Sequence, residues 1–273
     1  MARPLFVFRS LRVALHIAAG LAICAGLFPL MDEAGRLRRI QRWSHRLLVI
    51  CGVRIDLRDV HGVPSAAHAM IIANHISWLD VFVINAIAPS RFVAKADIRQ
   101  WPILGWLSHK AGTVYISRGN RRDVRRIFEG LAESLHAGEQ VAFFPEGTTA
   151  RQGNLLPFHA NLFEAAIDAT VPIQPYALRY LDGAGGYHPA VEFFGDKTFA
   201  GSLATILRSG AITVQVLQLA PISTDGALRR PLAETARTAI LDALGLISPP
   251  SHPAPDIADT PPETAPGPQA APP

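Results

Sequence analysis

Asn74, His75, Ser77 and Asp80 fall in one short stretch, Asn-His-Ile-Ser-Trp-Leu-Asp, between an apolar run and the start of an apolar helical pattern. A helix capped by Ser77 makes Asp80 its third residue and turns the carboxylate back toward the His75 ring. A carboxylate on one imidazole nitrogen selects the tautomer and leaves the other nitrogen able to accept a proton, the base-and-orienter chemistry of a His–Asp pair. The same residues also fit a plainer reading. Ser77-x-x-Asp80 resembles a capping box with Asp in place of Glu, and His75 is then an ordinary loop histidine.

A second loop, Pro145-Glu146-Gly147-Thr148-Thr149-Ala150-Arg151, follows a short apolar strand pattern. An acid, a glycine, two hydroxyl residues and an arginine after a strand suit backbone N–H groups and a guanidinium meeting an anionic head group. They equally suit an ordinary loop with Thr caps. A third stretch, residues 97–107 (DIRQWPILGWL), is apolar around Pro102 and Gly105 and fits either a groove for an alkyl chain or a core segment. The chain has no GxSxG elbow, no GxxxxGK[ST] loop, no HExxH helix and no GxGxxG after a strand. Beyond its charge it offers no nucleic-acid reading element.

The elements that must position these loops alternate between short apolar runs and amphipathic segments, which predicts an α/β fold. Strands are expected at 69–73, 91–94, 113–117, 140–144, 172–179, 190–194 and 212–219. Helices are expected at 77–86, 121–136, 161–169, 199–208 and 229–244. No internal repeat and no internal linker divides this region, so residues 53–247 are expected to form one domain.

Both ends differ from this middle. Residues 13–30 form an uncharged apolar run of 18, close to the minimum for crossing a hydrocarbon core of about 30 Å. Arginines flank it on both sides, which suits a half-inserted anchor as well as a span, and no clean small-x-small site follows that would mark a signal peptide. Residues 35–52 place Leu37, Ile40, Trp43, Leu47 and Ile50 at helical spacing among arginines, the pattern of a basic amphipathic helix for an anionic membrane surface or of a helix packed on the core. Residues 1–52 therefore read as a membrane-anchoring helical module. Residues 248–273 hold 10 of the 22 prolines and little apolar surface, and are expected to be disordered.

The 273 residues are 49% hydrophobic and 18% charged, which excludes a chain disordered throughout. The tail carries Asp256, Asp259 and Glu263 and no Lys or Arg, so a net charge of +4 becomes +7 for the remainder. A basic body favours anionic partners. Three lysines against 23 arginines point to a GC-rich, bacterial genome. Two cysteines cannot build a disulfide framework or a multi-Cys zinc site.

His75-x-x-x-x-Asp80 preceded by Asn74, then Phe144-Pro145-Glu146-Gly147-Thr148, then Val171-Pro172-Ile173-Gln174-Pro175, resembles the glycerolipid acyltransferase family. Lys95, Pro102-Ile103-Leu104-Gly105-Trp106 and the GTVYISR stretch ending at Arg118 resemble the family's intermediate acceptor-binding block. Residues 1–52 resemble the two-helix membrane module of its bacterial members. The resemblance implies a mixed, largely parallel sheet flanked by helices. It also implies acyl transfer from an acyl-ACP or acyl-CoA thioester to a lysolipid hydroxyl, at the cytoplasmic face of a bacterial inner membrane. His75 is then the general base and Asp80 its orienter. Asn74, Lys95, Arg118, Glu146, Gly147, Thr148 and Arg151 serve acceptor binding, and no metal or prosthetic group is needed.

Two departures bear on the acceptor. Thr149 stands where an Arg often follows the Glu-Gly-Thr block, and Phe158-His159-Ala160-Asn161 replaces the Phe-Lys-x-Gly of the phosphatidate-forming branch. Leu156-Pro157-Phe158, Leu162-Phe163 and Gln174-Pro175 also resemble acyltransferases that finish ornithine lipids. The expected acceptor is therefore lysophosphatidic acid first and a lyso-ornithine lipid second. A hydrolase using the same pair on water, and a non-enzymatic lipid-binding protein, are the alternatives from other classes.

Overall fold

The computed structural model describes residues 3–101, 103–116 and 121–246. Arg118 and the 248–273 tail lie outside them. A seven-stranded sheet runs in the order β1-β7-β6-β2-β5-β3-β4. Its strands are β1 (Val53–Asp59), β2 (Met70–Ala73), β3 (Arg91–Lys95), β4 (Val114–Ile116), β5 (Val141–Phe143), β6 (Ile173–Leu181) and β7 (Ile212–Gln218). Among the described residues, β6 and β7 are the one antiparallel pair of neighbouring strands in this sheet.

Helices cover both faces, as a largely parallel sheet requires. One core joins α1 (Arg3–Ala22), α2 (Glu33–Cys51), α3 (Leu79–Ile87) and α7 (Phe199–Arg208) to Ile71, Ala73, Tyr176, Leu178 and Tyr180. The other joins α5 (Arg121–His136), α6 (Phe163–Asp168) and α8 (Arg229–Leu244) to Met70, Ile72, Ile173 and Ala177. Alternate residues of β2 and β6 thus feed opposite cores, the period-two rule of a strand buried on both sides.

Two expectations need correction. Residues 190–194 are not a strand: Pro189–Val191 is a 3-10 turn followed by extended chain. Pro189 has no N–H to donate to a ladder, and Phe193 N instead reaches the Ile76 carbonyl at 3.1 Å. Conversely, Val53–Asp59 (VRIDLRD) is a strand that the expected set omits; its alternating pattern fits its place at a sheet edge beside β7.

The apolar N-terminal run is helical through Leu30, passing through a π segment at Ile23–Leu27 and a 3-10 turn at Phe28–Leu30. Pro4–Leu30 is long and apolar enough to cross a membrane by length and composition. It is nevertheless tied to the body. Arg9 donates to the carbonyls of Leu207 and Ser209, both at 3.3 Å. His16 stacks on Trp43 at 4.5 Å, and Trp43 Nε1 donates to the His16 carbonyl at 3.2 Å. Val7, Phe8, Leu11 and Leu15 remain exposed. Helix α2 is capped by Asp32 and ends in a left-handed Gly52, and its Leu47, Leu48, Ile50 and Cys51 lie in the same core as α3. The boundary at residue 52 therefore crosses one continuous core.

Candidate active site

Parallel strands deliver their C-terminal ends to one edge of a sheet, where the following loops meet. The β2–β5 register pairs Met70 with Val141 and Ile72 with Phe143, so at the same offset His75 stands level with Glu146. The β3–β5 register pairs Arg91 with Val141, which brings the end of β3, carrying Lys95, level with Pro145. Three loops far apart in sequence thus meet because their strands are neighbours.

The predicted pair forms, by a different local device. Helix α3 starts at Leu79, and its N-terminal flank makes no side-chain cap bond; the Ser77 hydroxyl is buried without a partner instead of capping. Asp80 takes the capping role. Its Oδ2 accepts the N–H groups of Ile76 at 2.6 Å and Ser77 at 2.8 Å, and meets His75 Nδ1 at 2.9 Å. Its Oδ1 accepts the Tyr180 hydroxyl at 2.6 Å. Four donors compensate a carboxylate that is completely buried. An ionised carboxylate only accepts, so Nδ1 carries the proton and Nε2 is left as the basic nitrogen. The His75 side chain keeps 19% exposure, so a substrate can reach its ring while Asp80 stays dry.

Around the ring, Phe144 stacks flat on the His75 imidazole, 4.0 Å between centroids and 4° between planes. The His75 N–H donates to Glu146 Oε1 at 2.6 Å, and Leu156 N donates to Glu146 Oε2 at 2.9 Å. Glu146 is buried, and burial pushes its carboxyl up to about 8 against the opposing effect of these two N–H groups. Buried Arg237 of α8 holds the carbonyls of Leu155 and Leu156 at 3.0 and 3.1 Å, fixing the segment that Glu146 grips. The His75 carbonyl accepts Ala150 N at 2.8 Å, and Thr149 Oγ1 donates to the Phe193 carbonyl. The loops at 145–151 and 192–194 therefore clasp the His75 loop from two sides.

The other expected residues divide. Gly147 has φ +66°, and a Cβ there would meet His159 at 3.1 Å, so a side chain is disfavoured twice over. Thr148 and Lys95 are exposed beside the His75 loop and at the end of β3. Arg151 is exposed with its guanidinium 4.8 Å from the Phe194 ring, which Lys197 also approaches at 5.0 Å. Asn74 does not face an acceptor. Its buried amide donates to Leu178 O at 3.0 Å and accepts Leu178 N at 2.7 Å, joining the end of β2 to β6. It is a positioning residue because the strand ladder stops at Ala73 and the next backbone groups of β6 need partners.

Tyr180, Phe144, Thr149 and Gln152 were not among the expected site residues. Gln152 accepts Tyr180 N at 2.7 Å and so steadies the strand that carries the phenol. Burial and the Asp80 charge raise the Tyr180 phenol well above its usual range, keeping it a donor. The 97–107 stretch forms a 3-10 turn at Ala96–Gln100 and α4 (Leu104–Lys110), leaving Trp101, Ile103 and Trp106 exposed, with the Trp101 ring 6.0 Å from that of Phe199. A Cβ on Gly105 would collide with the Arg99 carbonyl, which explains a glycine where the first turn of α4 packs against the 3-10 turn. Among the described residues, no three His, Cys, Asp or Glu side chains gather as a metal site would need.

The His75 loop and the buried Asp80 lie at the C-terminal edge of an open α/β sheet, in a chain with an apolar N-terminal helix, the setting of an α/β enzyme site. The family described as Acyltransferase matches residues 54–179. The chain is 36% identical over 250 residues to a lyso-ornithine lipid O-acyltransferase of Pseudomonas aeruginosa, covering 89% of this chain and 95% of that protein. It is 31% identical over 258 residues to a lyso-ornithine lipid O-acyltransferase of Brucella abortus, covering 86% and 96%. A 1-acyl-sn-glycerol-3-phosphate acyltransferase of Neisseria gonorrhoeae is 39% identical over 165 residues, covering 59% and 64%. The crystal structure of the 1-acyl-sn-glycerophosphate acyltransferase of Thermotoga maritima has the same fold, with a TM-score of 0.62 at 18% identity over 90% of this chain and 97% of that one. The chain belongs to the glycerolipid acyltransferase family and is an acyltransferase of lipid biosynthesis. Its bacterial relatives and its apolar N-terminal helix fit association with a membrane.

Proposed function

We propose that the protein transfers an acyl chain from acyl-ACP or acyl-CoA to the free hydroxyl of a lyso-ornithine lipid, with His75 as general base. The observation that carries the chemistry is the His75–Asp80–Tyr180 arrangement, with Nδ1 bound to a buried carboxylate and Nε2 left basic. The acceptor hydroxyl gives its proton to Nε2 as its oxygen attacks the thioester carbonyl carbon, and Asp80 stabilises the imidazolium. The tetrahedral intermediate collapses with cleavage of the C–S bond, and the departing thiolate takes the proton back from His75. An ester and a free thiol result, with no acyl-enzyme. The donor is a substrate, and the reaction calls on no metal or prosthetic group.

The acceptor assignment moves from lysophosphatidic acid to a lyso-ornithine lipid because the similarity to the two lyso-ornithine lipid enzymes runs nearly end to end. Thr149 supports it: the hydroxyl that replaces a frequent arginine ties down the Phe193 carbonyl and supplies no charge. Lysophosphatidic acid is the second reading, favoured by the higher identity to the Neisseria enzyme over the shared core and by the cations Lys95 and Arg151. In this reading Lys95 and Arg151, with Arg118 by the family resemblance, supply cations for either head group, Gly147 and Thr148 shape the acceptor site, and Glu146 and Asn74 position the loop. A soluble thioester donor requires the site to face the cytoplasm, at the inner membrane.

The test offers both lysolipids side by side, with acyl-ACP and acyl-CoA, to membranes containing the wild type or His75→Ala, and identifies products by mass spectrometry. Ornithine lipid formed by the wild type and lost in the variant is the expected result. Phosphatidic acid instead keeps the mechanism and moves the acceptor. Free fatty acid formed without any acceptor replaces transfer by hydrolysis, and undiminished turnover in His75→Ala ends the catalytic assignment.

A further inference from the structure

At the far end of α3 from Asp80, a cavity of about 640 Å³ opens between α1, α2 and α3. Arg12 of α1 and Arg42, His45 and Arg46 of α2 line it, with Val49 and Ala86 as apolar wall. A second cavity of about 320 Å³ shares His45 and Val49 with it and continues past Gly52 to Arg54. Together they make a groove along α2. We infer that this groove is an accessory binding site for the phosphodiester head group of an anionic membrane phospholipid, separate from the acceptor site.

Charge carries the inference first. Arg42 and Arg46 are four residues apart on one helix face, with Arg12 brought beside them from α1, and guanidinium groups stay charged at any physiological pH. Among the described residues, none of the ion pairs involves these three arginines. Like charges gathered without a carboxylate repel one another, and a phosphodiester relieves that repulsion through forked N–H···O bonds.

The groove's walls suit an anion as well. The C-terminal carbonyls of α3 carry partial negative charge, but Gln41 Nε2 donates to those of Ala86 and Ile87 at 3.2 and 3.3 Å and covers them. Arg12 lies 5.5 Å from the Phe8 ring, steadied at the groove's edge.

The surroundings select a lipid over a free anion. Val49 is half exposed in the wall, and Phe8, Leu11 and Leu15 expose apolar surface on the helix that supplies Arg12, where acyl tails can lie. The volume falls within the range of small-molecule sites, ample for a glycerophosphate head group. A zwitterionic head group would bring an ammonium into the cluster of guanidiniums. The site thus discriminates by net head-group charge. Ala86 is six helical steps beyond Asp80, about 9 Å along the axis, so the groove and the His75–Asp80 pair sit at opposite ends of one element.

The experiment is native mass spectrometry of the full chain in non-ionic detergent, titrated with phosphatidylglycerol or phosphatidylcholine. One retained phosphatidylglycerol per chain is expected, with phosphatidylcholine held at least tenfold more weakly. Arg42→Gln with Arg46→Gln should weaken phosphatidylglycerol retention at least tenfold. Arg38→Gln with Arg39→Gln, the same loss of charge on the same helix outside the groove, should leave it within twofold, and so should His75→Ala. Equal losses in the two double variants would reduce the effect to diffuse surface charge and overturn the site. Equal retention of both lipids, loss of the adduct in His75→Ala, or its displacement by millimolar glycerol 3-phosphate would overturn it as well. Thermal unfolding of each variant separates lost binding from lost fold.

Discussion

Replacing Asp80 by Asn removes one charge from the site and leaves its shape. Three N–H donors, from His75, Ile76 and Ser77, point at the Oδ2 position, and one hydroxyl rotor, from Tyr180, faces Oδ1. An Asn amide can answer this only one way. Its oxygen takes the Oδ2 position, because an NH2 group cannot accept from three N–H groups, and its NH2 faces Tyr180, whose oxygen can accept in turn. The His75 tautomer is therefore preserved, and what is lost is the attraction between the carboxylate and the imidazolium of the transition state. With charge centres about 4 Å apart and an effective dielectric constant near 20, that attraction is about 4 kcal/mol. The expected result is a kcat lower by about a thousandfold, with KM for the lysolipid within about threefold of wild type. Thiol release during transfer measures kcat, and thermal unfolding checks that the variant is folded. A folded Asp80→Asn enzyme within tenfold of wild type would refute the role given to the carboxylate. A raised KM with kcat unchanged would assign it to substrate binding instead.

Tyr180→Phe should cost about 1.5–3 kcal/mol of stability, the range for a hydrogen bond to a charged group, and lower kcat with KM unchanged; a stability loss with kcat untouched would leave Tyr180 a packing residue only. Glu146, with its carboxyl pushed from 4.5 to about 8, holds a proton when folded that it releases when unfolded between those values. Stability should therefore fall as pH rises from about 5 to 8, by up to about 1.4 kcal/mol per pH unit, and Glu146→Gln should flatten that slope in denaturant titrations. Asn74→Ala leaves both backbone groups of Leu178 without their partner and should destabilise by about 2–5 kcal/mol; a loss under about 1 kcal/mol would contradict its clamp role. Deleting residues 248–273 should leave acyl transfer rates unchanged, and a large drop would give the tail a part in catalysis.

The His75 loop was legible because its logic is local. His75 and Asp80 are five residues apart, one helix turn suffices to join them, and the spacing predicted the contact before any strand was placed. The strands leading into both loops were legible as short apolar runs, and the apolar α1 and basic α2 as continuous patterns. The local mechanism was less so. A serine three residues before an acid reads as a cap, yet the acid itself gathers the loop N–H groups and the serine hydroxyl is buried unbonded.

The chain's own residues and short spacings carried the motifs that resemble the family, the His75–Asp80 contact, the α/β alternation and the apolar N-terminal run. Only the tertiary structure decided who surrounds that pair. Tyr180 lies 100 residues beyond Asp80 and reads in the sequence as one more alternating residue of a strand. Asn74 reads as an acceptor ligand until β6 is placed beside β2, where its amide is consumed by Leu178. Arg12 and Arg42 sit in patterns that look merely basic until α1 folds against α2 and gathers them in one groove. Periodicity records which face of an element is buried, but the partner across that face is chosen by strand order and register, which no local pattern encodes.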